Sequence, residues 1–397
     1  MVDVKEATDI VLSNLFKPSV TRVDLNDAYG RILGEAIKAD RDFPPFNRVA
    51  MDGIAIWYDE WKSGRREFYV EETQSAGQPQ KSLRDVQNCM EVMTGAILPE
   101  GTDTVIRYED VSIQGNNATI LIDKIEEGQH IHTQGQDAKR NDVLLTPGII
   151  LSPAEIALLA SVGVSDVPVF AFPRAAIISS GDELVEITEI PESHQIRRSN
   201  TYAIDAAMKA IGWEGTEYHI YDQKDFVIES LKVIAENHDV LIVSGGVSKG
   251  KFDFIPEALE SIQVKKLFHH VSQRPGKPFW FGVSKKGKVV FALPGNPVST
   301  YMCFYRYVMP WILKSLHVEY QQQYAILAKD FKFDPKLTYF LQVTVKNENG
   351  KLMAYPDAGG GSGDFANLKK VTGFLELSLD KNQFEAGEVY PYFPFRS

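Results

Sequence analysis

The hydrophobic pattern of this chain changes character at Pro173. Before it, Val4, Ala7, Ile10, Val11 and Leu15 recur at helical spacing and predict one amphipathic helix. A turn-rich connection then ends at Pro44 and Pro45, and residues 67–125 break into short β-like runs separated by Gly, Pro and Asn. Residues 152–163 return to a helical pattern, with Ser152 at the N-cap and Pro153 in the first turn. After Pro173, apolar runs at 175–180, 216–221, 240–243, 265–271, 278–283 and 288–294 alternate with helix-spaced segments at 202–211, 226–235 and 254–262. Such alternation predicts an α/β domain with a mainly parallel sheet. From about residue 319 the helical period is lost, and runs at 324–328, 338–345 and 352–356 predict a small β domain.

The run from Val240 to Val243, bounded by Asp239 and Ser244, reads as a strand of a sheet covered on both faces. Gly245 and Gly246 then let the backbone turn with positive φ and present bare N–H groups to an anion. Gly245, Gly250 and Lys251 have most of the spacing of a nucleotide-triphosphate loop. Phe252 stands where that loop needs a magnesium-binding hydroxyl, and Asp253, at or near the next helix's N-cap, is the nearest cation ligand. Two more loops leave strand ends with polar residues: one carries Ser180, Gly181, Asp182 and Glu183, the other Pro294, Gly295, Asn296, Pro297 and Ser299. Strand ends of one parallel sheet share an edge, so the three loops are expected to meet.

Composition narrows the function classes. With 397 residues, 44% of them hydrophobic, the chain can bury a large core in about two to four domains. A formal charge of −11 without a long basic run argues against a general nucleic-acid or membrane-surface binder. Cys89 and Cys303 are the only cysteines and have no metal or disulfide spacing, which fits a reducing, cytoplasmic setting. No run approaches the ~18 apolar residues of a membrane span.

Glu183, Asp222 and Asp253 all fall at or near expected strand ends. Alone each is a cap or a surface charge; together, without His or Cys, they suit Mg2+ rather than zinc. Arg274 and Lys277 flank a Pro-Gly turn and read either as a basic hairpin or as an oxyanion clamp. Asp52, before Gly53, fits ordinary turn chemistry. The pairs His130/His132 and His269/His270 lack carboxylate or cysteine partners at metal spacing and read as structural, and neither Ser180 nor Ser248 has a serine-hydrolase frame.

Seven segments in order, at 50–55, 93–105, 135–138, 180–184, 244–253, 274–278 and 293–299, make the chain resemble the molybdopterin molybdotransferase family, which includes the E domain of gephyrin. The resemblance implies a multidomain α/β plus β subunit, with a central molybdopterin-binding (MogA-like) α/β domain at 174–318. It also implies a β-rich inserted domain at 47–136, a C-terminal β-barrel at 319–397, and a discontinuous N-terminal helical domain from 1–46 and 137–173. It further implies a homodimer with the site at its interface. The implied reaction inserts molybdate into adenylylated molybdopterin with Mg2+, releasing AMP. The implied partners are that small-molecule substrate, molybdopterin adenylyltransferase and cofactor-accepting enzymes.

Carried over by position, Asp52, Asp137, Glu183, Asp222 and Asp253 would be catalytic, with Glu183 and Asp253 on the metal. Thr94, Gly245, Gly246, Ser248, Arg274, Lys277, Pro294, Gly295, Asn296, Pro297, Ser299 and Ser362 would bind substrate. The chain departs from the family pattern at Val49, at Arg198 in place of Asp, at His270 and Arg274 in place of Lys, and at Gln342 in place of Arg. Adenylyltransferase relatives carry differently worded glycine loops, and a non-catalytic scaffold would not need the retained acids.

Overall fold

The computed structural model describes residues 1–247 and 253–396. It divides into two compact units, one formed by Met1–Gly34, Pro147–Ser152 and Asp166–Ser397, the other by Glu35–Thr146 and Pro153–Ser165.

The first unit is built on a six-stranded sheet in the order Gly215–Ile220, Ala175–Ser180, Val240–Ser244, Val289–Leu293, Trp280–Ser284 and Val264–Phe268. The first four strands run parallel, and the last two are added antiparallel at one side. Ala175–Ser180, Val240–Ser244 and Val289–Leu293 are buried along their whole length, as expected of central strands covered on both faces. Alternate residues feed two cores: Ile177, Ile242 and Phe291 join one, Ile178, Val243 and Ala292 the other. The amphipathic helix Val4–Leu12 buries Val4, Ala7 and Val11 in the first of these cores. Phe254 holds the N-cap position of helix Ile255–Ser261, with Asp253 one residue before it.

The chain then closes a five-stranded barrel. Thr338–Glu348, Lys351–Pro356, Gln323–Leu327, Val389–Pro394 and Gly373–Leu377 pair in that order, and the last returns to the first. The α/β plus β architecture expected from the sequence is therefore present. Several contacts tie the barrel to the α/β part, among them a strand pairing and an ion pair. Gln273–Arg274 pairs in parallel with Thr338 and Tyr339 of the barrel, and Arg306 Nε donates to Glu376 Oε2 at 2.7 Å, with the two side chains 11% and 20% exposed. The Arg306 guanidinium also lies over the rings of Tyr307 and Phe393.

The second unit carries its own six-stranded sheet, ordered Thr104–Arg107, Gly53–Ile56, Cys89–Val92, Glu67–Gln74, Asn117–Ile120 and Val111–Gln114. Gly53 is obligatory there, because a Cβ would stand 1.9 Å from the Ile106 carbonyl oxygen. No helix among the described residues is long and apolar enough to cross a membrane.

Removing one partner of a largely buried ion pair strands the other charge, at a cost of about 3–5 kcal/mol. Glu376→Ala should lower the free energy of unfolding by that order, and urea denaturation followed by circular dichroism would measure it.

Candidate functional site

Register places the site. Ser179 lies opposite Ser244 on the next strand, and Ser244 lies opposite Leu293, so three loops leave the sheet at one level. They open a cleft of about 720 Å3 at the C-terminal ends of the parallel strands, where open α/β sheets bind ligands. Glu183, Asp222, Asp253, Gly245, Gly246, Arg274, Lys277, Pro294, Gly295, Asn296, Pro297, Ser299 and Ser362 all line it. Ser248 lies outside the described residues.

Glycine makes this convergence sterically possible. Gly245 has φ +100°, its N–H donates to the Leu293 carbonyl at 3.2 Å, and a Cβ would fall 2.6 Å from the Ser180 carbonyl. A Cβ on Gly295 would in turn stand 3.5 Å from the Gly245 Cα. Beneath these turns, the Asn200 amide donates to the Ser244 hydroxyl at 2.9 Å, the Gly295 carbonyl at 2.7 Å and the Thr300 hydroxyl at 3.2 Å. Thr300 donates to the Pro294 carbonyl. One amide thus joins the helix that follows the first loop to the second and third. Sequence reading passed over Asn200, because an Asn at a helix start looks like local capping chemistry.

Strand order puts the acids toward one side of the cleft and the Arg274–Lys277 turn toward the other: Asp222 and Glu183 follow the two strands at one edge, and Arg274 precedes Trp280–Ser284, while Arg197 and Arg198 also line the cleft. Asp222 Oδ1 accepts from the Ser180 hydroxyl at 2.8 Å, and the Asp222 N–H donates to Asp182 Oδ1 at 2.9 Å. Burial, reinforced by the like charges of Asp182 and Asp253, raises the Asp222 carboxyl above the ordinary range. Asp182 is thus a member of the acidic group that sequence reading did not single out. The Glu183 carboxylate folds back over Gly181, where a Cβ would meet its Oε2 at 2.5 Å. Among the described residues no three His, Cys, Asp or Glu side chains gather as a group that could hold a metal ion.

On the basic side, Gln273 is fully buried and sets the turn that carries Arg274 and Lys277. Its Nε2 donates to the Gly276 carbonyl at 2.9 Å, and its Oε1 accepts from the Tyr307 hydroxyl at 2.5 Å. The Arg274 guanidinium lies 5.9 Å from the Phe333 ring centroid. Gln342 lines the cleft but is buried, donating to the Ala358 carbonyl at 3.3 Å and accepting from Asn367. The Ser362 hydroxyl accepts from Asn296 Nδ2 at 2.8 Å, fastening the barrel's glycine-rich loop to the third strand-end loop.

Asp52, Thr94 and Asp137 belong to the second unit. Asp52 Oδ1 accepts from both the N–H and the hydroxyl of Thr94, at 2.6 and 2.7 Å, and these bonds, the backbone one foremost, lower its pKa. The expected turn residue is thus also half of a polar pair. His132 sits in a polar chain rather than a metal-type group: its Nε2 lies 2.8 Å from Asp137 Oδ1, and Arg48 Nη2 lies 2.9 Å from its Nδ1. An arginine can only donate, so Nδ1 accepts and Nε2 carries the proton toward Asp137.

Three family signatures cover the chain. Residues 2–163 match the MoeA N-terminal region (domain I and II), 176–314 a probable molybdopterin binding domain, and 324–395 the MoeA C-terminal region (domain IV). A Synechocystis protein named molybdopterin molybdenumtransferase is 40% identical over 397 residues, covering 99% of this chain and 100% of its own. A Haemophilus influenzae protein of the same name is 30% identical, covering 100% and 99%. The crystal structure of the molybdopterin biosynthesis moeA protein from Pyrococcus horikoshii OT3 aligns with a TM-score of 0.85 at 27% identity over 100% of both chains.

The raised Asp222 pKa has a definite sign. The folded state holds the proton to higher pH than the unfolded chain, so ionisation weakens folding as pH rises above the ordinary value of 3.8. Asp222→Asn, which keeps an acceptor for Ser180, should be more stable than wild type at pH 7. The difference should vanish once pH falls below that ordinary value, as paired urea titrations across pH would read.

Proposed function

This chain belongs to the MoeA family of molybdopterin molybdenumtransferases, and we propose that it inserts molybdate into adenylylated molybdopterin with Mg2+, releasing AMP. The observation that carries the proposal is the common register of Ser179, Ser244 and Leu293, which gathers acids, glycine turns and cations into one cleft. A substrate with a phosphoanhydride and an oxyanion co-substrate needs those three kinds of group together.

The donor chemistry on the acidic side fits Mg2+. It is all oxygen, and the mutual repulsion of Asp222, Asp182 and Asp253 is relieved by a hard cation. An ion that takes one or two carboxylates and completes its shell with phosphate oxygens and water needs no cluster of three acids. In this reading Glu183 and Asp253 hold the ion, which when bound polarises the phosphoanhydride. Ser180 keeps Asp222 in place beside them. The N–H of Gly246 binds phosphate oxygens at the turn that Gly245 makes possible, Arg274 and Lys277 orient molybdate, and Pro294, Gly295, Asn296, Pro297, Ser299 and Ser362 shape the pterin end. Arg274 preserves the charge of the lysine common at its position, whereas Gln342 contributes no charge.

The same reading gives Asp52, Thr94 and Asp137 parts in the reaction. It divides the chain into the four domains expected from the sequence and makes the protein a cytoplasmic homodimer. Its substrate comes from molybdopterin adenylyltransferase, and its product goes to cofactor-accepting enzymes.

Purified protein given adenylylated molybdopterin, molybdate and Mg2+ should release AMP, and chelation of the metal should stop it. Glu183→Ala and Asp253→Ala should each slow release by about 10²-fold or more, the scale on which a group that stabilises transition-state charge acts. Full activity in either variant would remove that residue from the metal site, and no AMP release from wild type would refute the proposal.

A further inference from the structure

Helix Asn200–Lys209 begins at the cleft with its N-terminal end uncapped. Ser199 occupies the N-cap position, yet its side chain accepts no hydrogen bond from the first turn, although serine is among the best residues for that bond. The first N–H groups of a helix have no partner within it, and the backbone dipole places partial positive charge there. Arg198, Ser199, Asn200 and Thr201 all line the cleft.

Two buried side chains at this helix start are left incomplete. Thr201 has no exposed surface, and its hydroxyl has no hydrogen-bond partner. Nor does it bond back to a preceding carbonyl, the usual resort of a helical threonine. Arg198 is 9% exposed; its Nη2 lies 2.6 Å from each Glu186 carboxylate oxygen, while its Nε meets no acceptor. A buried donor without a partner is rare in a folded protein and asks for a ligand to complete it. Uncapped N–H groups, a hydroxyl and a guanidinium Nε–H all lack the same thing, an acceptor. Glu186, half exposed, anchors the guanidinium through Nη2 and leaves the Nε–H available.

We infer that Arg198, Thr201 and the first turn of helix Asn200–Lys209 form an anion subsite that takes one phosphate-type oxyanion. An anion there accepts from the guanidinium and the hydroxyl and lies on the helix dipole, a combination suited to tetrahedral oxyanions. The subsite rests on the transferase reading only for the carrier of that anion, which is then a phosphate of the adenylylated substrate.

The test is titration calorimetry of inorganic pyrophosphate, without nucleotide or metal, into full-length wild type, Thr201→Val, Thr201→Ser and Arg198→Met, with thermal melts in parallel. Thr201→Val should bind pyrophosphate about tenfold or more weakly, the effect of one hydrogen bond to a charged group. It should melt at the same temperature or higher, because an unpaired buried oxygen has gone. Thr201→Ser should restore affinity, and Arg198→Met should lose it. Wild-type affinity in Thr201→Val, or no pyrophosphate binding by wild type, would overturn the subsite. Binding that depends on Thr201 in a protein that releases no AMP would support the subsite and refute only the transferase reading.

Discussion

The cleft depends on how closely three backbones approach at the ends of the parallel strands. At Gly245 the neighbouring carbonyl of Ser180 occupies the space a Cβ would need, and Gly295 packs against the same Cα. The Gly245 N–H is meanwhile bonded to Leu293. A side chain at Gly245 would push the loops apart, and every group they carry would move with them. Ser180 shows how tightly this is shared: its carbonyl sets the limit at Gly245, while its hydroxyl holds Asp222.

Electrostatic tension in the first unit is placed unevenly. Arg306 and Glu376 satisfy one another behind the cleft, and Arg174 with Asp239 does so at the start of the central strand. At the cleft, by contrast, Asp222 is partly buried among like charges and its carboxyl is held above the ordinary range. A structural ion pair closes its own account, whereas a site leaves charge for something else to complete.

Sequence reading recovered the features governed by local period. The switch to alternating strand and helix after Pro173, the fully buried run at Val240, and the glycine turns at strand ends all carry their physics in adjacent residues. It missed what depends on distant partners. Asn200 reaches Ser244 and Gly295, 44 and 95 residues away, so its role has no local signature. His132 draws one neighbour from five residues away and the other from 84, a triplet no metal-type spacing would reveal. Asp182 lay in plain view beside Glu183. Only the fold shows that the Asp222 backbone leans on the former, while the latter folds over Gly181.

The two-residue strand Gln273–Arg274 belongs to the sheet domain in chain order and to the barrel in hydrogen bonding. The boundary between α/β domain and barrel, clear in the succession of elements, is therefore crossed by the segment that carries a cation of the cleft. Modules joined in this way do not recombine freely. A barrel taken from a relative would have to reproduce the edge at Thr338 and Tyr339 before Arg274 could sit where it does, so sheet and barrel are constrained to diverge together.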